Sequence, residues 1–307
     1  MLVVGAGAVG SYYGALLARD GHEVTLVARG SHLRALRERG SIEVAEPDGG
    51  VWGAPVRVAA TPRDAGGPPP DLAVLTVKSY DTLPAARLLA PALGPRTLVL
   101  SLQNGVDNVA RAEEVLGEGR LLAGIAFVGV WLEAPGRVRH QAEGWVRVGD
   151  PAGGATPRAR ALERVLGGSW DVALSEDIVR DQWHKLLWNV GFNALCAATG
   201  ATAGEVLATP EAALLVREAM EEAADVARAR GVSLTAADVD EMAAPNPELR
   251  DYRPSTARDL EAGKRLEREA LAGFVVREGA RLGVATPVNR ILDALLALQG
   301  DRRRAEA

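Results

Sequence analysis

The sequence predicts an α/β domain followed by an all-α domain. Three observations carry that prediction. Short β-branched runs alternate with helical stretches through the first half, which is the βαβ pattern of a parallel sheet. A glycine-rich hexapeptide, Gly5-Ala-Gly-Ala-Val-Gly10, joins the first of those runs to the first helix. From Ile178 onward strand-like alternation disappears, and apolar residues recur at helical spacing, as in Ala270–Leu282 and Ile291–Leu298. The shift falls near residues 172–177 and divides the chain into residues 1–174 and 175–307.

Leu2–Val4 reads as a strand, Val9–Arg19 as a helix and Glu23–Ala28 as a second strand. Only Met1–Val4 precedes the first glycine, so the opening strand is stubby or the start has lost a residue or two. Ser41–Glu46 and Val51–Ala59 flank the turn-forming Pro47-Asp-Gly-Gly50, which predicts an antiparallel hairpin. After a Pro/Gly loop at Pro62–Pro70 come a strand at Leu72–Val77, a helix at Thr82–Leu93, a strand at Thr97–Leu102 and a helix at Val106–Leu116. Leu121–Val130, Arg137–Gln141 and Gly144–Val148 extend the sheet in partly antiparallel fashion.

Composition excludes several classes. A net charge of −5 and a pI near 5.6 argue against a nucleic-acid surface, which needs a basic face. The one basic run, Arg302–Arg304, is expected to fray at the chain end. No stretch is apolar for long enough to span a bilayer, and the N-terminus has no basic region of a signal peptide. Cys196, alone, has no partner for an internal disulfide and fits a reducing, cytoplasmic setting. His22, His32, His140 and His184 show no metal-ligand spacing, so no metal is expected.

The hexapeptide has the G-x-G-x-x-G spacing of a dinucleotide site, in the strand–turn–helix context that the site needs. Gly5 allows the tight turn, Gly7 lets backbone approach a pyrophosphate, and Gly10 lets helix and strand pack closely. The amides around Ala6, Ala8 and Val9 would then face the anion at the helix N-terminus. NAD enzymes usually place an acidic residue at the end of the second strand, to accept from the ribose. Here that strand ends Val27-Ala28-Arg29, and Arg29 can pair with a 2′-phosphate, which favours NADP. A solvated arginine is the alternative.

Only three of the 35 Lys and Arg residues are lysine: Lys78, Lys185 and Lys264. Arginine is permanently charged, whereas lysine can release a proton when its pKa falls. Lys78 ends the run Asp71–Val77, and Asn104 follows the strand ending Leu102-Gln103, both at the sheet edge where open α/β folds bind ligands. Lys185, Asn189 and Asn193 are spaced by four and would share one helix face, between the flanking tryptophans Trp183 and Trp188. His184 points elsewhere and reads as packing. In Ser255-x-x-x-Asp259-x-x-x-Gly263-x-x-x-Glu267, Ser255 could cap a helix, with Asp259 and Glu267 along about the same face. Lys264 reads as an ion-pair partner or a solvated residue.

Taken together, these motifs resemble the ketopantoate reductase (2-dehydropantoate 2-reductase) family, in order and over nearly the whole chain. The resemblance implies a Rossmann domain, then a helical domain similar to the 6-phosphogluconate dehydrogenase C-terminal type. It also implies an active site between the two and NADPH as reductant. It makes Lys185 the general acid, Glu267 a substrate-hydroxyl partner, and Asn189, Asn193 and Ser255 further substrate contacts. Lys78 and Asn104 match residues near the cofactor and the reacting carbonyl.

Two positions depart from the pattern. Well-known members carry an asparagine where this chain has Ala203, and some carry another where it has Tyr252. Both bear on which small 2-oxo acid is used, not on hydride transfer. The competing readings are a related NADP-dependent 2-oxo acid, opine or hydroxy acid dehydrogenase, and a non-catalytic NADP sensor. A homodimer through the helical half is compatible with the sequence but is not specified by it.

Overall fold

The computed structural model describes residues 1–246 and 249–306, with side chains through residue 301. The residues form two compact units, Met1–Gln103 with Asp107–Val179, and Asn104–Val106 with Arg180–Ala307.

The first unit holds ten strands: β1 (Leu2–Val4), β2 (Thr25–Val27), β3 (Ser41–Ala45), β4 (Val51–Pro55), β5 (Arg57–Ala59), β6 (Leu72–Leu75), β7 (Leu98–Ser101), β8 (Leu121–Ala134), β9 (Arg137–Gly149) and β10 (Asp171–Leu174). Five helices accompany them: α1 (Ala8–Arg19), α2 (Gly30–Arg39), α3 (Thr82–Leu89), α4 (Asn108–Leu116) and α5 (Pro157–Leu166). The strands form one sheet in the order β4-β3-β9-β8-β7-β6-β1-β2-β5, with β10 paired to β9. From β5 through β8 every pairing is parallel. β1 lies at the point where the chain reverses its order across the sheet, which is where such sheets bind ligands.

Burial on both faces explains why the central strands are apolar throughout. Val3, Val74 and Leu100 pack into one core with Tyr13, Leu16 and Leu17 of α1. Leu2, Val4, Ala73 and Leu75 pack into a second core with Ala85, Ala86 and Leu89 of α3 and Ala112 of α4. β1 is indeed only three residues long.

Several boundaries differ from expectation. Val51–Ala59 is not one strand. The expected hairpin forms between β3 and β4, but the chain breaks at Pro55-Val56, and β5 joins the opposite sheet edge beside β2. Proline donates no ladder hydrogen bond, so a strand readily ends there. Pro91 likewise stops α3, whose continuation is a short 3₁₀ turn at Ala90–Ala92. Helices α2 and α5 were not foreseen. α2 buries only His32 and Leu36, and α5 only Ala159, Leu162 and Leu166, so their apolar stripes are narrow.

The second unit is helical: α6 (Ile178–Trp188), α7 (Ala194–Thr199), α8 (Ala203–Ala208), α9 (Pro210–Ala229), α10 (Ala236–Ala243), α11 (Ser255–Glu261), α12 (Ala272–Leu282) and α13 (Pro287–Glu306). A π-helical turn, Asn189–Asn193, links α6 to α7. At its centre Gly191 packs on α9 so closely that a Cβ there would lie 2.8 Å from Val216 Cγ1. Glu222 of α9 accepts from the Val288 and Asn289 amides and so caps α13. The backbone of Arg302–Arg304 continues α13 instead of fraying, while those side chains lie outside the described ones. Among the described residues no helix is long and apolar enough to cross a membrane.

A Cβ at Gly10 would sit 2.3 Å from Gly5 O and 2.4 Å from Thr76 Oγ1. Gly10→Ala should therefore destabilise the protein by about 1–3 kcal/mol, the range for overpacking. An unchanged denaturant midpoint would show that the β1–α1 junction is looser than described.

Candidate active site

In the first unit the glycine turn is pinned to its neighbours. Ala6 N donates to Val27 O at 2.9 Å, and Thr76 Oγ1 donates to Gly5 O at 2.8 Å. Gly5 has φ +109°, and a Cβ there would lie 2.6 Å from Val77 N. Gly7 is different: a Cβ would meet nothing within 4 Å. Two glycines thus serve packing, while the third leaves open space at the N-terminus of α1. There the first-turn amides of Ala8, Val9 and Gly10 have no intrahelical acceptor. An open cradle of backbone donors fits a pyrophosphate.

Arg29 precedes α2 and is 78% exposed, and its Nη2 donates to Asp81 Oδ2 at 2.8 Å. A surface pair of this kind contributes little, so a phosphate can displace the carboxylate. Lys78 lies three residues beyond β6, at the start of the turn Ser79–Asp81. A buried polar network, not foreseen from the sequence, fixes that turn. Gln103 Nε2 donates to Val77 O at 2.9 Å and to Thr82 Oγ1 at 2.8 Å. Thr82 Oγ1 lies 2.9 Å from both Ser79 O and Asn108 Oδ1. The only sequence signal was that Gln103 and Asn108 are polar residues next to apolar strand and helix.

In the second unit Lys185 Nζ donates to Asn104 Oδ1 at 3.1 Å. Burial pulls the Lys185 ammonium down from the usual lysine range to about 8, and the Glu267 carboxylate opposes that fall. Asn193 Nδ2 donates to Asn189 Oδ1 at 3.1 Å, and both side chains are buried. The structure thus brings Lys185 together with Asn104, and Asn189 together with Asn193. It does so with a π turn in place of a continuous α-helix, a distortion frequent at functional sites.

The Ser255 segment departs from the sequence reading. Pro254 occupies the N-cap, and Ser255 is the exposed first residue of α11 and makes no side-chain cap. α11 ends at Glu261 and the chain turns at Gly263, φ +64°, so Glu267 does not share a helix face with Asp259. Glu267 is nevertheless buried, ahead of the turn Arg268–Ala270. Lys264 Nζ lies 3.9 Å from Asp259 Oδ1. His184, read as packing, has Nε2 at 3.7 Å from Asp238 Oδ1 and 3.6 Å from Glu241 Oε2. Arg180 donates to the same Asp238 oxygen at 2.5 Å, so the Asp238 carboxylate has an arginine as its ion-pair partner beside His184.

Residues 1–153 match the family described as ketopantoate reductase PanE/ApbA, and residues 177–299 match its C-terminal domain. A 2-dehydropantoate 2-reductase of Archaeoglobus fulgidus is 34% identical, over 94% of this chain and 94% of that protein. The chain belongs to the ketopantoate reductase family. A solved ketopantoate reductase from Ralstonia eutropha JMP134 shares 35% identity, with a TM-score of 0.89 over 99% of this chain and all of that one. The family's plan, a Rossmann domain followed by a helical C-terminal domain, is therefore this chain's plan. A D-mandelate dehydrogenase solved with NADH and anilino(oxo)acetate is also similar, at 26% identity and a TM-score of 0.88 over 99% of both chains.

The scarcity of lysine makes the Lys185 ionisation directly measurable. Of three ¹³C-labelled lysine signals, the one lost in Lys185→Arg should titrate near pH 8, while ordinary lysines titrate near 10.5. A Lys185 signal that titrates near 10.5 would remove the basis for a proton-donor role.

Proposed function

We propose that this chain reduces a 2-oxo acid with NADPH. The best-supported substrate is 2-dehydropantoate (ketopantoate), giving (R)-pantoate in the route to pantothenate and coenzyme A. One observation carries this reading: a half-buried lysine whose desolvated ammonium is lowered to about 8 and aimed by an amide oxygen. Reduction of a ketone needs a proton at oxygen as hydride reaches carbon, and an acid with a pKa near the working pH gives it most readily.

Bound NADPH supplies the hydride that adds to C2. The glycine turn and the first-turn amides of α1 would hold the pyrophosphate, and Arg29 would pair with the 2′-phosphate. Lys185 gives its proton to the developing alkoxide, while Asn104 Oδ1 keeps the ammonium oriented. The Asn189–Asn193 bond fixes the orientation of the Asn189 amide toward the substrate, and Ser255 adds a hydroxyl at the carboxylate end. Glu267 accepts from the 4-hydroxyl, and Lys78 lies at the sheet edge toward the cofactor. One 2-oxo acid, one NADPH and one proton give one 2-hydroxy acid and NADP⁺. A cytoplasmic setting, where Cys196 stays a thiol, completes the proposal. So does a homodimer through the helical unit, where α13 exposes Ile291, Leu295 and Leu298.

NADPH absorbance with ketopantoate is the test. Lys185→Arg keeps a charge but cannot release a proton at ordinary pH. Its kcat should fall at least about a hundredfold with NADPH binding retained. In the wild type, kcat/KM should decline above pH ~8 as Lys185 loses its proton before the reaction. Near-normal turnover by the arginine variant would refute the role.

Arg29→Ala should weaken NADPH binding by at least about tenfold, the size of a lost charge-assisted contact, with NADH little affected. An unchanged ratio of the two dissociation constants would mean that another group reads the phosphate.

A further inference from the structure

Helix α2 starts directly after Arg29, so whatever seats α2 also seats that guanidinium. The helix has little to hold it, because it buries only His32 and Leu36. Leu36 packs into the core, whereas His32 is held by directed bonds. Its Nδ1 accepts from the Gly136 amide at 3.0 Å. The ring proton therefore sits on Nε2, which donates to Ser11 Oγ at 3.1 Å. Ser11 belongs to α1, and its own amide donates to Gly7 O at 2.9 Å. Gly136 lies in the β8–β9 turn, and its carbonyl accepts from Glu43 N of β3 at 3.0 Å. One imidazole thus ties α2 to the helix that opens at the glycine turn and, through Gly136, to the sheet.

Only the neutral ring can make both bonds. A second proton would fall on Nδ1 and face the Gly136 N–H, setting donor against donor. Burial disfavours the imidazolium and holds the His32 pKa below the usual 6.5. The charged groups of the elements packed around it are engaged elsewhere or exposed. Arg137 pairs with Glu133 at 2.6 Å and with Glu43 at 2.9 Å, and Arg57 of β5 is exposed. On α2 itself, Arg39 runs along Gly136, where a Cβ would lie 3.2 Å from its Nη1. On α1 the group that meets the ring is the uncharged Ser11 hydroxyl.

We propose that His32, as a single neutral tautomer, is the positioning residue that seats α2 and with it Arg29, and so sets the preference for NADP over NAD. This rests on the role of Arg29 proposed above. His32 touches neither reacting atom nor phosphate; it acts by fixing where the guanidinium starts from. Protonation of the ring breaks the Gly136 bond and removes one of the two buried anchors of α2. The preference is therefore complete at neutral pH and declines in acid.

The experiment measures dissociation constants for NADP⁺ and NAD⁺ in the wild type, His32→Leu, His32→Asn, Arg29→Ala and Arg29→Ala/His32→Leu. At neutral pH His32→Leu should lose at least about threefold of the preference for NADP⁺, and the double variant no more than Arg29→Ala alone. His32→Asn, whose amide oxygen can replace Nδ1 as the acceptor for Gly136, should keep most of it. In acid the wild-type preference should fall more steeply than that of His32→Asn; the 2′-phosphate titrates alike with both proteins, so the difference belongs to the ring. A general loosening of the fold would weaken both dinucleotides equally. An unmoved ratio in His32→Leu, additive losses in the double variant, or equal acid slopes in the wild type and His32→Asn overturns this inference. If Arg29→Ala itself keeps the wild-type ratio, the Arg29 reading falls and this inference falls with it.

Discussion

An ammonium held in a poorly solvated place, donating to a neutral amide oxygen, is the constraint around which the helical unit is arranged. Removing water disfavours the charged form of Lys185, and the Glu267 carboxylate restores only part of what is lost. The balance leaves a group that holds a proton near neutrality yet can surrender it. A carboxylate in place of Asn104 would hold that proton more firmly, and a wetter position would leave an ordinary lysine. Several otherwise unrelated features serve this balance. Trp183, Leu186 and Leu187 are buried around the same helix, and Gly191 lets the following π turn lie against α9. That turn in turn sets Asn189 against Asn193.

The first unit reaches specificity by a different route, through backbone and not through a tuned side chain. Gly5 and Gly10 are close-packed against Val77 and Thr76, so the turn is rigid, whereas Gly7 faces open space. Position in the sheet matters as much as the motif. β1 lies where strand order reverses, so the helices that follow β1 and β6 pack into different cores, on opposite faces, at the place where such sheets bind ligands. The Gln103–Thr82–Asn108 network then stiffens the turn that carries Lys78. Gln103 belongs to that network, and the next residue in the chain, Asn104, is the acceptor for Lys185. The chain thus passes from one polar anchor to the other in a single peptide step.

Much of this was legible because the signals are local. The glycine turn, the apolar runs of β1, β6 and β7, and the loss of alternation after Ile178 each depend on a short window. What was not legible depends on partners distant in sequence or on small backbone choices. Arg29 could be read as a phosphate ligand, but its pairing with Asp81 crosses 52 positions. The face shared by Ser255, Asp259 and Glu267 assumed a helix that Gly263 in fact ends. The four-residue spacing predicts proximity, which Asn189 and Asn193 show, but it does not reveal the π turn that joins them or the bond from Lys185 to Asn104. α2 and α5 escaped notice because an arginine-rich helix with two or three buried residues has almost no apolar periodicity to detect.

The three lysines show why composition alone could not decide function. Where charge alone is needed, arginine serves, as in the two-pronged grip of Arg158 on Asp150, which holds that carboxyl well down, at about 2. Lys264 is exposed and only 3.9 Å from Asp259, a loose surface pair in which arginine would do as well. Its rarity carries no meaning. Lys185 differs from Lys264 in environment, not in kind: its Nζ is desolvated and its pKa is lowered to about 8. Arginine, which keeps its proton even when buried, could fill that space and supply that charge, but not that proton. The informative property of the residue is therefore its burial, which only the fold can provide.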